Sequence, residues 1–494
     1  MAVTRYARFT FYLAIICISG IIVLHLKLST FYHRDYHFGV TGRNDHGETG
    51  HLKIIAMDTN STTPETCALT SAQYNHPPLT EPIPDWDLSR YVNGPPTKRF
   101  RDNLLEDEFY ITGMASGGFT TQFIIYVNMI YLGIISRRVP VVPAFTPHYH
   151  ISLAAGAIPF GHVFNLSRAR NELKQPLLEW MDVKYRPSST SIKPPSSSER
   201  EQLGCWSTLN EGNQLLRTAT MEDYLQLDIS YTRVPAEVRH DRNAKDKHLV
   251  FGHLVPYIFP GSSLSSLVQQ YPLLESSPLG HSLPPDEQLA CFDLLYSMTS
   301  SSQAFEWRFL WSPAWNVVGT HLHFTDDLVR LAKGYLGNAF SKAVNDLPPF
   351  IAIHMRRKEF DSQCEADKEC FIPLGTFRRM LTSMKEEIYF RDGTKIRHIL
   401  LTSDEDNVAF WKAAKNLGWV NLDHIGAKTA EKYGEWYPAI IDIIAQSMAI
   451  GFIGTQDSTL SLVNSRRVQD WNDGPALLVS RADRTNLDFI SEDF

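Results

Sequence analysis

A chain of 494 residues is long enough for two or three domains with well-buried cores. With 43% hydrophobic and 20% charged residues its composition is that of an ordinary globular protein, rich in aromatics at 12%. A formal net charge of -7 excludes a nucleic-acid binder that works through bulk positive charge.

Residues 9–26 contain no Asp, Glu, Lys or Arg; Arg5 and Arg8 precede them and Lys27 follows. As a helix this stretch rises about 27 Å, enough to cross a thin bilayer. A small-residue cleavage site does not follow, so it reads as a signal anchor rather than a cleaved signal peptide. The charge bias favours a cytosolic tail, residues 1–8, and a lumenal remainder. A short span suits the endoplasmic reticulum or the Golgi. Residues 27–100 mix Gly, Thr, Pro, Asn and His without an apolar period and read as a stem.

Lumenal residence changes how the cysteines read. Cys17 lies in the span, which leaves Cys67, Cys205, Cys291, Cys364 and Cys370. That number is odd, so at least one is free or pairs between chains. Cys364 and Cys370 are the expected loop disulfide. Zinc is the weaker reading, because neither a C-x-x-C pair nor an H-E-x-x-H motif occurs. His148 and His150 would serve as a ligand pair, although loop histidines are far commoner. Asn60 and Asn165 open glycosylation sequons.

Order is expected from about Glu108. A strand at 109–113, a glycine turn at 116–120, an apolar helix at 121–136 and a strand at 139–145 make a βαβ unit with a parallel sheet. The Ser/Pro-rich residues 186–200 read as an exposed loop. Residues 247–256 read as a strand, and 326–344 as a helix with Leu328, Leu331, Tyr335 and Phe340 near helical spacing. A second α/β series starts at Pro349. Its strands are expected at 350–355, 397–403, 449–454 and 476–480. Helices at about 373–388, 406–417 and 436–449 separate them. The chain therefore reads as α/β, with two Rossmann-like lobes, 101–345 and 346–494, and a cleft between them.

Four places carry chemistry. Gly117, Gly118, Phe119, Thr120, Thr121 and Gln122 form a glycine turn that opens a helix, a place where backbone N–H groups can approach an anion. It is neither G-x-G-x-x-G nor a Walker loop, and a plain turn is the commoner reading. His354, Arg356, Arg357 and Lys358 end the apolar strand at 350–355 in a cluster of positive charge. A guanidinium there pairs phosphate oxygens and neutralises a leaving diphosphate without a metal. Thr402, Ser403, Asp404, Glu405 and Asp406 end the next strand. They would contact a ribose or base, or cap a helix; capping is the safer reading. In the run 452–461, strand gives way to a turn and a hydroxyl-rich helix start. There Asp457, Ser458, Thr459 and Ser461 would hold phosphate or cap the helix.

The order of these four motifs resembles the GDP-fucose protein O-fucosyltransferase family, over roughly residues 108–480. That family carries a GGFxxQ-like loop, an H-x-R-R-x-D/E-F strand end, a T-S/D-x-E strand end and F-I-G-T-x-x-S-T-x-S. Here these are 117–122, 354–360, 402–406 and 452–461. The resemblance implies a GT-B fold with the nucleotide mostly on the C-terminal lobe. It also implies inverting, metal-independent transfer of fucose from GDP-fucose to a hydroxyl of a protein or glycan. By the same resemblance Arg356 contacts the diphosphate and the glycosidic oxygen, with Arg357 as support, and His354 orients the sugar nucleotide. Ser458, Thr459 and Ser461 contact the phosphates, and Asp442 is a candidate for base recognition. Three departures stand out. Thr121 replaces an Asn common among relatives, and Ile450 replaces an acid of some relatives. Ala115-Ser116-Gly117 offers no carboxylate as general base, so none is named.

Overall fold

The computed structural model describes residues 86–483, apart from 149, 186–199, 210–217, 242–246, 263, 265–269, 301–302 and 359–370. The expected membrane span at 9–26, the stem up to 85, Cys364, Cys370 and almost all of the expected 186–200 loop lie outside the described residues.

The first half contributes β1 (Tyr110–Gly113), β2 (Val139–Val142), β3 (Leu178–Glu179), β4 (Glu201–Ser207), β5 (Leu227–Arg233), β6 (Leu249–Val250), β7 (Leu273–Glu275), β8 (Leu289–Phe292) and β9 (Met298–Thr299). Seven of these make one sheet in the order β3-β2-β1-β8-β4-β5-β7, and β6 pairs with β9 apart from it. All pairs in the large sheet are parallel except β5 with β7. Between β1 and β2 runs helix α1 (Phe119–Ser136), as the βαβ reading expects. It is apolar and long enough to cross a membrane, yet most of it is buried inside the fold, so it is a core helix.

Two expectations change here. Residues 247–256 give only the short β6 before the chain turns into a helix at Phe251–Ile258. Phe251, Leu254 and Ile258 are buried at helical spacing, a pattern that a short apolar run does not separate from a strand. The packed fold also starts before residue 100. Val92, Phe100 and Leu104 are buried, and the Phe100 amide donates to Glu201 Oε2 at 2.8 Å. Single apolar anchors inside Pro-rich sequence carry no period to betray them. A disulfide joins Cys205 to Cys291 with their Cα atoms 4.5 Å apart. The register Trp206↔Phe292 sets these cysteines opposite each other on neighbouring β4 and β8.

The second half repeats the plan more regularly. β10 (Phe350–Met355), β11 (His398–Ser403), β12 (Gly451–Thr455) and β13 (Ala476–Val479) form a wholly parallel sheet in the order β11-β10-β12-β13. Among the longer helices are α2 (Asp326–Phe340), α3 (Leu374–Asp392), α4 (Val408–Asn416), α5 (Tyr437–Ser447) and α6 (Thr459–Asn472). Each matches an expected element within a few residues, except α6, of which the sequence reading gave only the start.

The two halves share one apolar core, in which Phe123, Phe145 and Phe164 meet Ile440, Ile444 and Val463. Hydrogen bonds from indoles cross the same boundary. Trp436 donates to the Gly156 carbonyl at 2.9 Å and Trp471 to the Thr320 carbonyl at 2.8 Å. Arg467 of α6 is buried, with its guanidinium 4.8 Å from the Phe123 ring centre and 4.6 Å from that of Phe324.

Candidate functional site

The β10–β11 ladder runs with one register from Phe350↔His398 to Met355↔Ser403. Carried past the strand ends, that register sets Arg356 opposite Asp404, Arg357 opposite Glu405 and Lys358 opposite Asp406. All three pairs form, at 2.9, 2.7 and 2.7 Å. The basic cluster and the acidic strand end, read separately in the sequence, are thus one structure. Ligands of open α/β sheets bind at this C-terminal edge.

The two arginines part company. Arg357 is drawn aside: its Nε donates to Glu405, and its guanidinium lies 4.4 and 4.6 Å from the ring centres of Phe371 and Phe410. Arg356 reaches across to the first half of the chain. Its amide donates to Thr455 Oγ1 at 3.0 Å, its Nη1 lies 2.9 Å from Asp404 Oδ2, and its Nη2 donates to His150 Nε2 at 2.9 Å. A guanidinium has no acceptor, so His150 Nε2 must be the acceptor in that bond.

His354 lies beneath, on β10, and is buried. Its Nδ1 is 2.7 Å from Ser461 Oγ. Burial first, and then the nearby Arg356 charge, bring its imidazole down to about 3, so it is neutral at physiological pH. The close approach of α6 to β12 requires Gly454: a Cβ there would lie 2.6 Å from that of Ser461. Ser458 is the N-cap of α6 and accepts from the Ser461 amide at 3.4 Å. Asp457, in the left-handed region with φ 67°, pairs at the surface with Arg308 at 3.1 Å.

The glycine turn sits against this edge. Thr120 Oγ1 and Thr459 Oγ1 are 2.8 Å apart, which joins the first turns of α1 and α6. Neither first turn holds an acidic residue, and Gly118 caps α1 with no side chain. Two helix N-termini therefore converge beside Arg356, an arrangement that favours an anion. Gly117 has φ +96°, which suits glycine, and a Cβ there would also press on Thr121 at 2.9 Å. Gln122 locks the turn by donating to the Gly117 and Thr146 carbonyls, both at 2.8 Å, and accepting from the Thr146 amide.

Other expected site residues point elsewhere. The Phe119 ring is part of the aromatic core, 4.4 Å from Phe145 centre to centre. Asp442 is turned to His424, whose Nε2 lies 3.0 Å away, and burial raises its pKa. His150 and His148 were read in the sequence as loop residues, yet they lie at this edge. A Cβ on Gly118 would be 3.8 Å from His150 Cδ2, and His148 Nε2 is 3.3 Å from Ser116 Oγ. The available signal was their position just past β2, at the ligand-binding end of a βαβ unit.

Several solved fucosyltransferase structures resemble this chain. Apo POFUT1 is 13% identical, with 76% of this chain and 98% of that one covered and a TM-score of 0.45. POFUT1 in complex with GDP-fucose is 12% identical over 76% and 99%, with a TM-score of 0.46. Fucosyltransferase NodZ from Bradyrhizobium is 12% identical over 74% and 92%, with a TM-score of 0.34. No family model and no curated protein matches the chain.

Proposed function

We propose that this chain is a glycosyltransferase of the GT-B kind that moves fucose from GDP-fucose to a hydroxyl of a protein or glycan. The observation that carries this reading is the convergence of Arg356 and the N-termini of α1 and α6 on one sheet edge. In this reading Arg356 meets the diphosphate and balances its charge as the sugar leaves. Amides of the first α6 turn, with the Ser458 and Thr459 hydroxyls, bind phosphate oxygens. His354 and Ser461 fix the strand end on which Arg356 is mounted. Arg357 acts at one remove, by holding the acidic strand end that steadies Arg356. Reaction with inversion and without a metal belongs to the same reading.

The chain is read as a type II protein of the endoplasmic reticulum or Golgi membrane, anchored by residues 9–26. The Cys205–Cys291 bridge supports a lumenal, oxidising setting for the folded part. A second reading is a catalytically silent binder of lumenal glycans or proteins. The absence of a carboxylate from Ala115-Ser116-Gly117 favours it.

The test is the thermal stability of the full-length chain with GDP, GDP-fucose, GDP-mannose and UDP-sugars, each with and without chelator. A ligand at 100 times its Kd adds about 2.7 kcal/mol. Stabilisation by GDP and GDP-fucose alone, untouched by chelator, is the expected result. Stabilisation by UDP-sugars alone overturns the donor, and none by any nucleotide overturns the transferase reading.

A further inference from the structure

We infer that Arg467 is a buried counter-charge for the donor's diphosphate, acting through space from behind the two helix starts; the inference rests on the fucosyl-transfer reading above. Arg467 is 0% exposed. Its Nη1 donates to Asn464 Oδ1 at 2.9 Å, while its Nε and Nη2 meet no acceptor among the described residues. Four aromatic rings wall it in instead. The centres of Phe123, Phe164, Phe324 and Trp471 lie 4.6–6.0 Å from the guanidinium carbon. Burial alone lowers its pKa to about 9, with no acid opposing the fall, so it keeps its charge at neutral pH. The adjacent Arg466 differs. Asp470 offsets its burial, and it donates to Gln469 Oε1 and to the Trp307 carbonyl.

A buried charge without a partner is costly, and the place of this one points to the partner it serves. Asn464 is five residues into α6 from Thr459, and Phe123 is three residues into α1 from Thr120. At about 1.5 Å per residue, the guanidinium lies roughly 5–8 Å along the two axes from the first turns. Helical side chains lean toward the N-terminus, and the bond back to Asn464 has that direction. The Thr120–Thr459 contact joins those same first turns at the anion site. The residues between are buried, Phe119, Thr120, Ser461 and Leu462 among them, so little water screens the charge. At roughly 10 Å and an effective dielectric of about 20, one unit charge shifts the binding of another by roughly tenfold.

The test is calorimetric titration of the full-length chain with GDP, GMP and guanosine, for wild type, Arg467→Met, Arg467→Lys and Asn464→Asp. Met fills the aromatic cage without charge, and Lys keeps the charge. Asn464→Asp gives Arg467 the counter-charge it lacks, with almost no change of shape. Arg467→Met and Asn464→Asp should each weaken GDP by at least about fivefold, GMP by less, and guanosine by less than about twofold. Arg467→Lys should hold GDP within about threefold of wild type. A merely structural role weakens guanosine as much as GDP, and that result overturns the inference. So does a GDP loss below about twofold in Arg467→Met or in Asn464→Asp, or a loss in Arg467→Lys equal to that in Arg467→Met. A wild type that binds none of the three defeats the underlying donor reading instead.

Discussion

His354 and Arg356 are two residues apart, yet one is buried and neutral while the other reaches across the sheet edge. The contrast has a pH signature. The His354 imidazole is held at about 3 in the fold, against 6.5 in the unfolded chain. Between these values the unfolded chain binds a proton that the fold refuses. The stabilising effect is therefore complete above 6.5 and is lost as pH falls toward 3, by up to about 1.4 kcal/mol per unit. Glu179 works the other way. Burial lifts its carboxyl to about 7, so its contribution is lost as pH rises from 4.5 through 7. Urea unfolding of wild type and His354→Gln isolates the histidine: from pH 7 to 5.5 the wild type should lose about 1 kcal/mol more than the variant. Parallel losses would contradict the burial account. At this scale the sequence showed which residue types cluster at the strand ends, but not which way each side chain turns. The resemblance ranked Arg356 above Arg357, but residue type alone gives no reason for it; Phe371, Phe410 and Glu405 supply one by claiming the second.

At the scale of elements, the second half was legible because each strand is a short apolar run between helices of clear period. In the first half only the opening β1-α1-β2 unit was: β4, β5 and β8 are separated by long, irregular connections, and parallel pairing leaves no hairpin signal to mark them. The link between the basic and acidic motifs was also hidden, since register is a property of two strands and neither sequence carries it alone. The Cys205–Cys291 bridge is a further product of register. It closes a sequence separation of 86 residues, and removing a native disulfide costs about 2–5 kcal/mol. The Cys205→Ser, Cys291→Ser double variant should lose stability of that size in urea unfolding. A loss below about 0.5 kcal/mol would mean that the bridge does not constrain the large sheet.

Over the whole molecule, the site exists because two distant parts of the chain share one core. Phe123 and Phe164 close on Arg467, Trp436 and Trp471 bond across to the first half, and Thr120 meets Thr459. An apolar junction of this kind holds the glycine turn and the strand-end arginine in fixed relation. The sequence offered four motifs in order. Their meeting at one edge, and His150 among them, depends on contacts hundreds of residues apart and is visible only in three dimensions.

The most direct measurement is GDP affinity, by calorimetric titration, of the full-length wild type, Arg356→Ala and Arg357→Ala. Losing a charge-assisted contact to a diphosphate costs about 1.5–3 kcal/mol, so Arg356→Ala should weaken GDP by roughly 10- to 150-fold. Arg357→Ala, whose partner is Glu405, should stay within a few-fold of wild type even if the fold is less stable. Equal affinity in Arg356→Ala and wild type, or a larger loss in Arg357→Ala, would contradict the placement of the donor site.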